Sequence, residues 1–328
     1  MAHDGRMRIV VVGGTGHVGT YLIPRLVAAG HEVVNLSRGA RRPYTDHPAW
    51  ERVEQLVVDR EAEDRARTFA GRVAGLAPDV VVDMVCFTEE SARHLVDGLR
   101  GRVAHLVHCG SIWMHGPSRS IPLHEDSETV PFGEYGVQKA AIARLLIDET
   151  ARGGLVTTSL HPGHISGPGW HPINPLGNLD PSVWTALASG APLAVPGIGA
   201  ELLHHVHADD VAQGFQLAIE NRDAAAGQAF HVTAASALTV RGFAEYAAGW
   251  FGRTPSLEFV SWDEFRSRTA PEYAEQSWDH LSRSQFASVD KARRLLGYAP
   301  RYAPEAAVRE AVEWLARHGE LDVELSAG

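Results

Sequence analysis

Arg8-Ile9-Val10-Val11-Val12 runs directly into Gly13-Gly14-Thr15-Gly16-His17-Val18-Gly19, and a helical pattern follows to Ala29. A β-branched run that ends in glycines and reopens as a helix is the first arm of a βαβ unit, and it commits the chain to a parallel sheet. The glycines let the backbone come close to a pyrophosphate, while the first turn of the helix offers unpaired N–H groups and positive potential to it. Gly13, Gly16 and Gly19 keep a G-x-x-G-x-x-G spacing. A tight turn without a ligand is the plainer reading of glycines alone. The strand before them and the helix after them favour a dinucleotide site, in which Gly13, Thr15, Gly16, His17 and Gly19 are the expected contacts.

The rest of the first half repeats the theme. Glu32–Leu36, Gln55–Val58, Asp79–Val85, His105–Cys109 and Val156–His161 read as further strands, with helical segments between most of them. Continuous apolar runs mark strands buried on both faces, so the expected fold is α/β, a Rossmann-like doubly wound parallel sheet. We expect a dinucleotide-binding domain over residues 1–165, with 204–232 returning to it, and a smaller, mostly helical substrate-binding region over 166–328. The Gly163–Asn178 stretch reads as loop from its Gly, Pro, Asn and Trp content. Helices are expected at Pro181–Ser189, Ala208–Glu220, Val240–Phe251, Val289–Leu296 and Pro304–Arg317.

The second strand ends at Ser37-Arg38, where an acid would bind the ribose 2′-hydroxyl of NAD and an arginine would accommodate the 2′-phosphate of NADP. No acid is present there. Arg38, with Arg41 and Arg42 nearby, favours NADP over NAD, although loop arginines often serve only solubility. Asp59, just past the third strand, could accept from the adenine amino group or simply be a solvated strand end. The formal charge of -10 over 328 residues argues against nucleic-acid partners and acidic membranes. The two cysteines, Cys86 and Cys109, sit in apolar runs and read as buried thiols of a reducing compartment. The start from Met1 to Met7 is polar and no apolar run is long enough to span a bilayer, so the expected location is the cytoplasm.

Tyr135 and Lys139 stand four residues apart and would share one helix face. An ammonium nearby can lower a phenol's pKa from about 10 by ~1–3 units, which would make Tyr135 a proton-transfer group. Together with Gly13-x-x-Gly16-x-x-Gly19, this pair resembles the short-chain dehydrogenase/reductase superfamily, and the length and C-terminal half resemble its extended branch, the NAD(P)-dependent epimerase/dehydratase family. His108-Cys109-Gly110-Ser111-Ile112-Trp113-Met114-His115-Gly116, His161-Pro162-Gly163-His164-Ile165-Ser166-Gly167-Pro168, His207-Ala208-Asp209-Asp210-Val211-Ala212 and Asp290–Pro300 are similar to that family's later motifs. The resemblance implies hydride transfer between a substrate carbinol and nicotinamide. Tyr135 would be the acid/base, Lys139 would hold the nicotinamide ribose and depress the phenol's pKa, and Ser111 would orient the reacting oxygen.

The departures are informative. The family's dehydratases carry an Asp-Glu pair after the catalytic Ser or Thr, whereas Ile112 and Trp113 stand here, so dehydration is disfavoured and an epimerase or reductase is expected. His161, Ser166 and His115 replace an Arg and two Tyr near where substrate should lie, which puts a standard UDP-sugar pocket in doubt. His161, His164, Trp113 and Asn174 are the candidate substrate contacts for a sugar-like or nucleotide-sugar molecule. His204-His205-Val206-His207 followed by Asp209 and Asp210 has ligand chemistry. On a strand, though, His204 would face away from His205 and His207, and Asp209 reads as a helix cap, so no metal is expected. A catalytically silent dinucleotide sensor of the same fold is the competing class. Homodimers are common in the family, and the helix from Tyr135 to Arg152 is the candidate interface.

Overall fold

The computed structural model describes residues 5–326. In chain order the strands are β1 (Arg8–Val12), β2 (Glu32–Ser37), β3 (Glu54–Val57), β4 (Val80–Asp83), β5 (His105–Cys109), β6 (Thr157–Pro162), β7 (His164–Ser166), β8 (Pro192–Pro196), β9 (Leu202–Leu203), β10 (His205–His207), β11 (Gln228–Val232), β12 (Leu238–Thr239) and β13 (Ser256–Val260). Seven of them form one sheet in the order β11-β6-β5-β4-β1-β2-β3. Every pairing in it is parallel. The chain leaves β1 towards β2 and β3, then returns to the other side with β4. A crevice therefore opens at the carboxyl ends of β1 and β4, the switch point where doubly wound sheets bind ligands.

Strand alternation explains the two-sided burial. Ile9 and Val11 of β1 face a core shared with α1 (His17–Ala28) and the helix Ala208–Glu220. Val10 and Val12 face the other core, with the helices Phe69–Gly75, Glu89–Leu99 and Gly133–Ala151. A third core joins the helices Ser182–Ser189, Val240–Trp250 and Pro304–Arg317 to β8, next to Leu176 and Leu281.

Three expectations need correcting here. The Asp79–Val85 strand is shorter, because the Asp79 carboxylate accepts from the Arg8 amide at 2.7 Å and the chain turns away after Asp83. The Gly163–Asn178 stretch is not all loop: β7 lies in it and pairs in parallel with β10, His164 opposite His205. Asp209 is not the cap of Ala208–Glu220. The His207 ring caps that helix by accepting from the Asp209 amide at 3.0 Å, and Asp209 instead pairs with Arg25, at 2.6 Å, and with Arg301. Among the described residues no helix is long and apolar enough to cross a membrane.

Candidate active site

The turn after β1 is built for close approach. Gly13 sits at φ +88°, a left-handed conformation that side chains disfavour, and a Cβ on Gly19 would stand 2.1 Å from the Gly14 carbonyl oxygen. The Gly14 amide is held by the Asn35 side chain on β2 at 2.9 Å. α1 starts at Gly16 with no side-chain cap and no acid in its first turn, so its leading N–H groups remain for a ligand. His17 is buried, stacked on Trp170 with ring centroids 5.2 Å apart, and neither ring nitrogen has a partner. These features fit a pyrophosphate: glycine where a side chain would intrude, free amides, and an orphaned imidazole beside them.

At the end of β2, Arg38 is exposed and Ser37 accepts from the Gly39 amide at 3.3 Å. Asp59 caps the helix Arg60–Arg65 by accepting from the Ala62 amide at 3.0 Å, so one of its oxygens is engaged before any adenine arrives.

Past the end of β5, Ser111 begins a short turn, Ile112–His115, and its Oγ accepts from the Trp113 amide at 3.2 Å. The helix Gly133–Ala151 packs on this turn because Gly136 leaves room: a Cβ there would lie 3.0 Å from the Trp113 carbonyl oxygen. Tyr135 and Lys139 are thereby brought to Ser111. Lys139 is buried and its Nζ donates to the Cys86 carbonyl at 2.8 Å and to that of Cys109 at 2.7 Å. Two of three ammonium protons are thus spent on the segment after β4 and on the end of β5, leaving one for a ligand.

The expected depression of the Tyr135 pKa by Lys139 does not appear. Lys139 Nζ lies 5.6 Å from the phenol ring and is engaged by carbonyls. Burial pushes the Tyr135 phenol up to about 12, with the Cys109 thiol adding to the rise and the Ser111 hydroxyl opposing it. The Tyr135 residue as a whole is 41 % open to solvent.

Two of the expected substrate contacts are fully buried. His161 is fully buried on β6, and its Nδ1 lies 3.1 Å from the Ser111 amide and 3.2 Å from the Ser111 carbonyl oxygen. In either tautomer Nδ1 is fastened to the Ser111 backbone, while the buried Nε2 has no partner. Gly110 makes room for it, since a Cβ there would come within 2.3 Å of that nitrogen. Asn174 is also fully buried. Its amide donates to Asn178 Oδ1 and to the Asp180 carbonyl, and its oxygen accepts from the Leu176 and Asn178 amides, so it braces the loop and has nothing to offer a ligand.

A family model for the NAD dependent epimerase/dehydratase family matches residues 9–233. The chain belongs to that family. It is 29% identical over 329 residues to 2'-dehydrokanamycin reductase of Streptomyces kanamyceticus, covering 99% of this chain and 89% of the relative. To dTDP-6-deoxy-L-talose 4-dehydrogenase (NAD(P)(+)) of Kitasatospora kifunensis it is 28% identical over 319 residues, covering 94% and 95%. Among solved structures, MoeE5 in complex with UDP-glucuronic acid and NAD has the same fold, with a TM-score of 0.71 at 20% identity over 95% of this chain and 99% of that one.

In this member of the epimerase/dehydratase family, indole and imidazole rings lie beside Tyr135. Trp113 meets the Tyr135 ring edge-on at 5.7 Å and the His280 ring at 4.9 Å, while His164 is 4.9 Å from His280 and 5.3 Å from His205. Arg283 is buried between Trp113, 3.8 Å away, and Phe132, 3.7 Å away. His280 and Arg283 escape a reading of the sequence because the helix Pro271–Leu281 carries no motif, and only tertiary packing delivers its end to the site. Despite so many imidazoles, no group of three or more His, Cys, Asp or Glu is arranged to hold a metal ion among the described residues.

Proposed function

We propose that the chain is an NAD(P)-dependent oxidoreductase or epimerase acting at a hydroxyl or ketone of a sugar-like substrate, with Tyr135 as the acid/base. The observation that carries this reading is the convergence of Ser111, Tyr135 and Lys139 at the carboxyl end of the sheet, beside a glycine turn cleared of side chains. When bound, nicotinamide supplies hydride transfer. The first turn of α1 holds the pyrophosphate, and the remaining Lys139 proton holds a ribose hydroxyl. Ser111 hydrogen-bonds the substrate oxygen and orients it towards the Tyr135 hydroxyl.

A phenol protonated at neutral pH can donate its proton to a carbonyl that is gaining a hydride, a step that net reduction and epimerisation share. The likeness to a reductase along nearly the whole chain supports net reduction. Arg38 favours NADP. Replacing it (Arg38→Ala) is expected to weaken NADP binding at least about tenfold, as loss of one charge-assisted contact does, and to leave NAD binding unchanged. Equal losses would remove Arg38 as the phosphate contact. The reaction itself is tested with nicotinamide cofactor deuterated at C4 and a panel of keto sugars, free and nucleotide-linked. Deuterium appearing on a product carbinol carbon is the expected result, and its absence across the panel would refute hydride transfer.

A further inference from the structure

Beyond Trp113 the molecule leaves a row of imidazoles unsatisfied. His205 is fully buried, bonded through Nδ1 to Ser166 Oγ at 2.8 Å, and its Nε2 has no partner. Both ring nitrogens of His164 are buried without a partner. His280 spends its Nδ1 proton on the Gln276 carbonyl at 2.8 Å, which leaves Nε2 as a lone pair. Buried polar atoms without partners are rare and costly, and here three of them, His205 Nε2 and both His164 nitrogens, stand at one end of a row that continues through His280 and Trp113 to the proposed acid/base.

The chemistry of the row selects among ligands. Burial holds all three rings neutral: His205 down to about 3, His280 down to about 4, and His164 well below the ordinary histidine value. A neutral imidazole donates through one nitrogen and accepts through the other, which matches a hydroxyl group and gives little to a diphosphate. The cation touching this row, Arg283, is buried and clamped: Nη2 donates to the Phe132 carbonyl at 2.8 Å and Nη1 to that of Asp279. Only its Nε lacks a partner, and that atom is buried, with the guanidinium packed between Trp113 and Phe132, so the charge is not open to a phosphate. Trp113 adds an indole flank for the apolar face of a ring.

We infer that His164, His205, His280 and Trp113 form a subsite for the uncharged, hydroxyl-bearing ring of the substrate, with His164 and His280 in contact and His205 orienting His164 from behind. The inference rests on the reading that substrate reaches Tyr135, and it deepens that reading by naming what the enzyme recognises. A nucleotide diphosphate, if the substrate has one, is not read here.

The test uses the full chain labelled with ¹⁵N-histidine, saturated with NADP, and titrated separately with methyl α-D-glucopyranoside and with UDP. His164→Phe, His205→Phe and His280→Leu assign the three rings. Saturable shifts of the His164 and His280 ring nitrogens with the glycoside, and none with UDP, are expected. His280→Ala should weaken the glycoside response at least about tenfold, as loss of a buried hydrogen bond does, with NADP binding unchanged, and it serves if a larger replacement disturbs folding. Rings that ignore the glycoside, or respond to UDP as strongly, would overturn the subsite. Failure of the unaltered protein to bind either NADP or NAD would instead defeat the redox reading, and the histidine titration, run without cofactor, would still report on the subsite by the same two outcomes.

Discussion

At the scale of single residues, position and proton state decide what each group does. His161 shows this best, because its Nδ1 is engaged by the Ser111 backbone. It is a positioning residue: it sets where the Ser111 hydroxyl points, and misorientation of a group by a fraction of an ångström is expensive in rate. His161→Phe keeps the volume and loses the bond to the Ser111 backbone. We expect kcat to fall roughly ten- to a hundredfold, with KM for the cofactor unchanged, and His161→Gln to restore much of the rate through its amide. Steady-state kinetics of the two variants against the unaltered protein decide it, and full activity in His161→Phe would remove the role.

At the scale of elements, the turn between β1 and α1 is the most exacting piece. Gly19→Ala would place a methyl against the Gly14 carbonyl, backbone against backbone, where neither side can rotate away. We expect a loss of about 1–3 kcal/mol in stability, as overpacking costs elsewhere, and a larger loss of nicotinamide cofactor affinity. Denaturant unfolding and cofactor titration check both, and an unchanged variant would mean the turn tolerates a Cβ. This turn and the sheet were legible in the sequence, because β-branched runs and glycine spacing are local signals. Ser111, Tyr135 and Lys139 were legible as motifs, and the structure brings them together. The full burial of His161 and Asn174 was not legible in the sequence, because burial and hydrogen bonding are set by strands and loops far along the chain. The strands β7, β9, β10 and β12 carry only two or three residues each, too few for periodicity to reveal them.

For the whole molecule, neutral buried histidines link stability to pH. His105, His115 and His204 are lowered to about 4 by burial, and His17, His205 and His231 to about 3. Their folded values lie below the unfolded value of about 6.5, so the unfolded chain binds protons more readily. The stabilisation they confer is complete above about pH 6.5 and is lost as pH falls towards 4, on the order of 2 kcal/mol per ring at pH 5. Several rings together rival the stability of an ordinary domain. We expect cooperative acid unfolding between pH 6 and 4.5 in circular dichroism, roughly where these rings and not the carboxylates begin to titrate. A fold unchanged at pH 4 would show that the rings have partners or water that keep them indifferent. The most direct test of the central claim is Tyr135→Phe, with cofactor binding and turnover measured on the same preparation. The account predicts that nicotinamide cofactor binds as before, since Lys139 and the glycine turn are untouched, while turnover falls by at least about a hundredfold, the scale of a lost general acid. Full turnover in Tyr135→Phe would contradict it.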